Sequence, residues 1–253
     1  TSTENTPSHV AIMGVPIAPM GIGETTAWIK AWVGSHSQKA VFTINPEIVM
    51  IAKKNDGFAR ILQSSDLNVA DGIGIVLAAR ITRKQMPERV PGIDLVNHLC
   101  SAGNSLGWSI YLLGARPGVA QRAGKALKKD FPSLQIVGWS AASSEEIEDT
   151  NIVAKINDLQ PDLLLVAFGA PDQEQWIARN IKKLSVGVAI GVGGSFDFLA
   201  GDVSRAPHLV RNMGLEWLYR LVVQPWRWRR MLALPAFAIA AAWSTLDSQL
   251  YGK

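Results

Sequence analysis

Several short polar clusters in this 253-residue chain carry the residue types that acid–base and phosphate chemistry require. Ala70-Asp71-Gly72 places a carboxylate directly after an apolar run. There it can act as a general base or hold a hydroxyl, although an aspartate before a helix is also a favoured N-cap. In Thr43-Ile44-Asn45-Pro46-Glu47, Asn45 reads as a helix cap with proline at the first helical position, which leaves Thr43 unexplained. Pro171-Asp172-Gln173-Glu174 allows two readings, a cap with its first turn or a polar cluster over a cleft. Arg89, in the loop Arg89-Val90-Pro91-Gly92-Ile93-Asp94, offers a planar fork of donors suited to phosphate, or is simply solvated. Gly114-Ala115-Arg116-Pro117-Gly118 and Gly191-Val192-Gly193-Gly194 follow apolar runs. The first of these turns would let a diphosphate approach backbone N–H groups at a helix start, and tight turning alone also explains its glycines.

Other chemistries lack their signatures. The sixth position from Gly191 is Phe196, and Leu77 stands where Gly72 and Gly74 would need a third glycine, so no dinucleotide fingerprint is present. There is no G-x-x-x-x-G-K-[ST] loop. The histidines at 9, 36, 98 and 208 show no ligand spacing, so no metal site is expected. No two aspartates stand two residues apart, so the Asp-x-Asp pair that holds a divalent ion on a diphosphate in many sugar transferases is missing. A transferase of this sequence needs arginines or backbone dipoles to stabilise the leaving diphosphate.

The clusters need a scaffold, and the sequence supplies one. Val41–Ile44, Leu67–Ala70, Trp108–Leu113, Leu134–Gly138, Leu163–Phe168 and Val186–Val192 read as strands. Helical patterns separate them at Thr25–Val33, Pro46–Asn55, from Ile73, after Asp94, Val119–Lys129, Glu145–Leu159 and after Gln173. Residues 1–9 read as a loose tail and 14–23 as a Gly- and Pro-rich turn. Apolar strands alternating with amphipathic helices predict an α/β, Rossmann-like, mostly parallel sheet covered on both faces. Its ligands belong at the carboxyl ends of the strands, where the polar turns gather.

The last fifty residues differ. Leu209–Val223 and Trp226–Leu234 look helical, with no further strand pattern. This suggests a catalytic core over 10–204 and a helical appendage over 205–253. The net charge of +4 is concentrated there, with Arg205, Arg211, Arg220, Arg227, Arg229, Arg230 and Lys253 against Glu216 and Asp247. Tryptophans 217, 226, 228 and 243 accompany them, a pairing that suits a bilayer interface or a polyanionic lipid headgroup. Packing of those rings on the core is the plainer alternative. A nucleic-acid partner is not expected, because the basic cluster is short. The apolar run Met231–Trp243 is short for a span and contains Pro235, which favours an interfacial element. The single cysteine, Cys100, fits a reducing compartment and reads as a small buried hydrophobe. Residues 1–10 lack the basic start of a secretory signal.

Taken in order, the motifs resemble the WecG/TagA/CpsF family of bacterial glycosyltransferases. The matching series is Thr43-x-Asn45-x-Glu47, Ala70-Asp71-Gly72-x-Gly74, Arg89-x-x-Gly92-x-Asp94, Gly114-x-x-Pro117-Gly118 and Gly169-x-Pro171-x-Gln173-Glu174. It continues with Gly191-x-Gly193-x-x-Phe196-Asp197, Gly201…Arg205-Ala206-Pro207, Gly214-Leu215-Glu216-Trp217-x-x-Arg220 and Pro225-x-Arg227. It spans about residues 10–235; the apolar tail beyond Pro235 is longer than the resemblance leads one to expect.

The resemblance implies an inverting, metal-independent transfer of a sugar, often N-acetylmannosamine from its UDP form, onto a polyprenyl-diphosphate-linked acceptor sugar for cell-surface polysaccharide. It implies Asp71 as base, Arg89 as a pocket arginine, and Arg220, Arg227 and Arg230 as the residues that hold a diphosphate. Thr43, Asn45 and Gln173 become polar pocket residues. Gly114, Gly118, Gly191, Gly193 and Asp197 fall at the nucleotide-sugar site. No cofactor beyond the UDP-sugar donor is implied. The expected location is the inner face of the bacterial plasma membrane, peripherally bound, with a homo-oligomer neither required nor excluded. Two other readings compete. A non-catalytic nucleotide-sugar or lipid-binding module has no need of a base such as Asp71, and a dinucleotide oxidoreductase lacks its fingerprint.

Overall fold

The computed structural model describes residues 7–82, 85–225, 228 and 232–251. Residues 10–17, of which the sequence reading placed 14–17 in a turn and gave 10–13 no element, form a short antiparallel hairpin of β1 (Val10–Ile12) and β2 (Val15–Ile17). Met13 and Gly14 turn it with φ values of 48° and 83°. The strands are only three residues each and contain Pro16, so neither length nor composition advertises them.

After α1 (Ile22–Gly34) comes the alternation expected from the sequence. β3 (Lys39–Ile44), α2 (Pro46–Lys54), α3 (Asp56–Gln63), β4 (Leu67–Ala70) and α4 (Ile73–Ile81) form its first part. α5 (Gly92–Leu106), β5 (Ser109–Gly114), α6 (Val119–Asp130) and β6 (Gln135–Ser140) follow. The expected helix over 145–159 is a short 3-10 turn, Glu146–Glu148, leading into α7 (Asp149–Leu159). β7 (Leu163–Ala167), α8 (Asp172–Asn180), β8 (Val188–Gly191) and α9 (Ser195–Leu199) complete the unit.

β4-β3-β8-β7-β5-β6 pair in that order into one parallel six-stranded sheet. Alternate residues of the buried strands feed opposite cores. Leu164 and Val166 join Phe42, Leu113 and Ala189 on one face, with Ile48, Leu62, Trp176 and Ile177 from the covering helices. Leu163 and Leu165 join Val41, Leu112 and Ile190 on the other, with Ile29, Leu95, Leu99 and Leu127. The sheet is therefore covered on both faces, which is why its strands read as unbroken apolar runs. Cys100 lies in this second core, where burial pushes its thiol up to about 12.

Capping explains two helix starts. Asn45 Oδ1 accepts from Ile48 N at 3.0 Å, with Pro46 opening α2. Asn55 closes α2 and caps α3, accepting from Phe58 N at 3.0 Å, so the chain turns into a second helix where the sequence pattern stops.

The stretch 209–223 is two helices, not one: α10 (His208–Asn212) and α11 (Glu216–Val223). The break falls at Gly214, whose φ of 73° a side chain rarely adopts and whose missing Cβ lets the chain approach Ile73 of α4. α12 (Ala233–Tyr251) ends the described chain. Residues 205–251 are tied to the α/β unit. Arg205 forks onto Asp94 of α5 at 2.5 and 2.6 Å, and Phe237 and Ala241 of α12 are buried in the first core. Among the described residues no helix is long and apolar enough to cross a membrane. Most of the helix expected over 226–234, with Arg227 and Arg230, lies outside the described residues.

Candidate active site

The polar turns gather at the carboxyl edge of the sheet, as doubly wound topology requires. They enclose, together with α11 and α12, a cavity of about 820 Å³. Thr43, Asn45, Asp71, Arg89, Gln173, Gly193, Asp197 and Arg220 all line it, although they come from six separate segments of the chain.

Asp71 follows β4 directly, its N–H bonded to Ile44 O at 2.7 Å. It is not a helix cap. Gly72 occupies that position, at φ 105°, and no side chain caps α4. The carboxylate instead accepts a hydrogen bond from the Gly92 backbone. Burial pushes its pKa up to about 6, with Arg220 pulling against that rise, Glu216 adding to it, and Arg89 opposing it weakly. A carboxylate poised near neutrality suits a proton acceptor.

Arg220 faces it from α11. Its guanidinium lies over the Phe198 ring, 4.3 Å from the centroid, and makes no direct ion pair among the described residues. Burial lowers its pKa against the pull of Asp71 and Glu216. The neighbouring arginines are already engaged. Arg89 donates to Arg211 O at 2.7 Å and to Glu216 Oε2 at 3.4 Å. Arg205 is held by Asp94 and lies 3.6 Å from Glu216. Burial would raise the Asp94 pKa, but the Arg205 pair overrides it and holds the carboxyl below its usual range. Arg220 thus keeps its donors for an incoming anion.

Gln173 shapes the opposite wall. It is almost fully buried, and its Oε1 accepts from Gly193 N at 2.9 Å and Gly169 N at 3.3 Å. Its Nε2 donates to Glu174 Oε1 at 2.8 Å. Burial pushes Glu174 up to about 7, despite that hydrogen bond. Thr43 Oγ1 donates to Gly191 O at 3.0 Å, which ties the ends of β3 and β8 together. Asn45 lines the cavity while its Oδ1 caps α2, so cap and pocket roles coexist.

The glycines divide. Gly193 lines the cavity, whereas Gly114, Gly118 and Gly191 do not. Gly191 serves the site from behind: a Cβ there would meet Gln173 Nε2 at 2.9 Å. From the 114–118 turn it is Ala115 and Arg116 that reach the cavity. Arg116 pairs with Asp197 at 3.3 Å and Asp202 at 3.4 Å.

Sequence reasoning gave no role to Arg116, Phe198 or Glu216, nor to the face of α12 formed by Leu234, Phe237, Ala238 and Ala241. The three- and four-residue spacing of that face was the available signal. Among the described residues, no group of three or more His, Cys, Asp or Glu side chains is placed to hold a metal ion.

Comparison with known proteins fits this geometry. A Bacillus subtilis (strain 168) protein named N-acetylglucosaminyldiphosphoundecaprenol N-acetyl-beta-D-mannosaminyltransferase is 35% identical over 211 residues, 83% of this chain and 81% of that protein. A Bacillus spizizenii protein of the same name is 36% identical over 201 residues, 79% of this chain and 77% of its own. A Staphylococcus aureus (strain NCTC 8325) protein, also of that name, is 30% identical over 232 residues, 91% of each chain. The model of the glycosyl transferase WecG/TagA/CpsF family matches residues 10–250, so the apolar tail beyond Pro235 falls inside the family's extent, contrary to the sequence reading. With that match over nearly its whole length, this chain belongs to the WecG/TagA/CpsF family and is a glycosyltransferase.

Proposed function

We propose that the enzyme transfers N-acetylmannosamine from UDP-N-acetylmannosamine onto an N-acetylglucosamine carried by a polyprenyl diphosphate, with inversion and without a metal ion. The observation that carries this reading is the pairing of Asp71 with Arg220 across one cavity: a carboxylate raised to about 6 faces a buried guanidinium with no direct ion pair among the described residues. The names of the relatives support the sugar and the acceptor.

In this mechanism an acceptor hydroxyl attacks the anomeric carbon as its proton passes to Asp71. The bond from that carbon to the UDP oxygen breaks, and the electron pair leaves with the diphosphate. Arg220 supplies the fixed positive charge that a divalent ion gives elsewhere. Attack opposite the leaving group inverts the centre in one displacement. Gln173, locked by Gly193 and Glu174, presents a rigid polar wall to the sugars. The exposed apolar side chains Leu209, Met213, Val222 and Trp243 support work at a membrane surface, on the inner face of the bacterial plasma membrane.

The test is incubation with UDP-N-acetylmannosamine and a lipid-diphosphate-linked N-acetylglucosamine in EDTA. The expected product is larger by one N-acetylhexosamine and has an inverted anomeric centre by NMR. Retention of configuration, or a product formed only when a divalent ion is restored, would contradict it.

A further inference from the structure

The cavity has two chemically different ends. Around Asp71, Arg89, Gln173 and Arg220 it is polar; between α4 and α12 it is not. α4 begins two residues after Asp71, and Ile73, Leu77 and Ile81 recur every fourth residue on its cavity side. At 1.5 Å per residue that stripe runs about 12 Å away from the carboxylate. Leu77 and Ile81 are 47% and 52% exposed, unusual for large aliphatics beside a packed core. Leu234, Phe237 and Ala238 of α12 line the same space, with Phe237 anchored in the core. Among the described residues, no charged residue of α4 or α12 lines this end.

We infer that the slot between α4 and α12 is a binding site for the first isoprene units of the acceptor's lipid, which run away from the polar end along the Ile73-Leu77-Ile81 stripe. The inference rests on the proposed acceptor. Its occupant follows from continuity: the slot opens into the polar cavity that would hold the diphosphate, so the group covalently attached to that diphosphate is the apolar chain that reaches it. Burying those units against Leu77, Ile81 and Leu234 removes apolar surface from water on both partners. The slot would select a lipid-linked acceptor by direct contact, separately from any attraction to the bilayer.

The test uses the full chain and three N-acetylglucosamine diphosphates: methyl-capped, geranyl and farnesyl, each below its critical micelle concentration with no membrane or detergent present. The readout is the ratio of kcat/KM for the farnesyl acceptor over the methyl-capped one. In the wild-type enzyme this ratio should exceed about tenfold, because several methylenes are buried. Ala238→Trp, which fills the slot, and Leu77→Gln, which makes it polar, should each bring the ratio close to one. A wild-type ratio near one would mean that the lipid is read only by the bilayer and would overturn the slot. Equal losses on both acceptors in both variants, leaving the ratio unchanged, would overturn it too, since that is what general damage to the fold produces. Absence of transfer to any of the three by the wild-type enzyme would strike the proposed function itself, and the slot with it.

Discussion

The two walls of the cavity are built on different principles. The sheet wall, from Thr43, Gln173 and Gly193, is neutral and locked: each polar group has a backbone or side-chain partner fixed by buried strands. The wall from residues 205–220 is charged and held by long-range ion pairs, Arg205 to Asp94 and Arg89 to Glu216, with Arg220 kept apart over Phe198. The sheet supplies geometry and the C-terminal helices supply charge. Asp71 stands where the two meet, its pKa raised by burial and restrained by the arginine opposite. Changes at Asp71 and Arg220 should therefore cost rate, and changes on the neutral wall or at the ion pairs that hold the charged wall should cost stability.

The sharpest test of that division is Arg220→Ala. It removes the stabiliser of the leaving diphosphate and should lower kcat by about 100- to 1,000-fold while the melting temperature stays level or rises, because a buried cation without a direct ion pair is lost. A fall in melting temperature with little loss of rate would reverse the assignment. Asp71→Asn addresses the junction. A folded pKa near 6 against an unfolded value near 3.8 means the folded protein binds the proton more tightly. Stability then falls as pH rises through that window and stays lowered above it. Asp71→Asn should accordingly be more stable than wild type at pH 7.5, by up to about 3 kcal/mol, and lose that advantage below about pH 4. Denaturant unfolding at the two pH values measures it.

On the neutral wall, Gln173→Leu strands the Gly193 and Gly169 N–H groups and the Glu174 carboxyl. It should destabilise the enzyme by about 1–3 kcal/mol by chemical denaturation. The smallest effect is expected for Arg205→Ala, about 1–2 kcal/mol, since its pair with Asp94 is partly exposed to solvent. A much larger loss of rate than of stability there would place Arg205 among the diphosphate ligands.

The sheet and its polar edge were legible because buried parallel strands leave unbroken apolar runs, and each ends in a polar or glycine-rich turn. Asp71 was legible as a residue but not as a carboxylate lining the cavity, since Asp-Gly before a helix reads first as a cap until Gly72 is seen to occupy that position. Gly191 was placed by the resemblance at the nucleotide-sugar site, whereas its missing Cβ makes room for Gln173; glycine records that space is needed, not what fills it. The hairpin at 10–17 was hidden by its shortness, and α3 by the double use of Asn55. Engagement of Arg89 and Arg205 by Glu216 and Asp94 depends on contacts more than a hundred residues apart that no local pattern encodes.

The central claim is that Asp71 takes the acceptor proton while arginine replaces a metal. Its most direct test is the rate of acceptor-dependent UDP release from UDP-N-acetylmannosamine in EDTA, followed from pH 5 to 8.5 for wild type and Asp71→Asn. The account predicts a wild-type rate that survives EDTA and falls on the acid side with an apparent pKa near 6. It predicts a variant at least about 100-fold slower with that acid limb gone. A folded Asp71→Asn enzyme with near wild-type rate, or one that keeps the same acid limb, would show that another group accepts the proton.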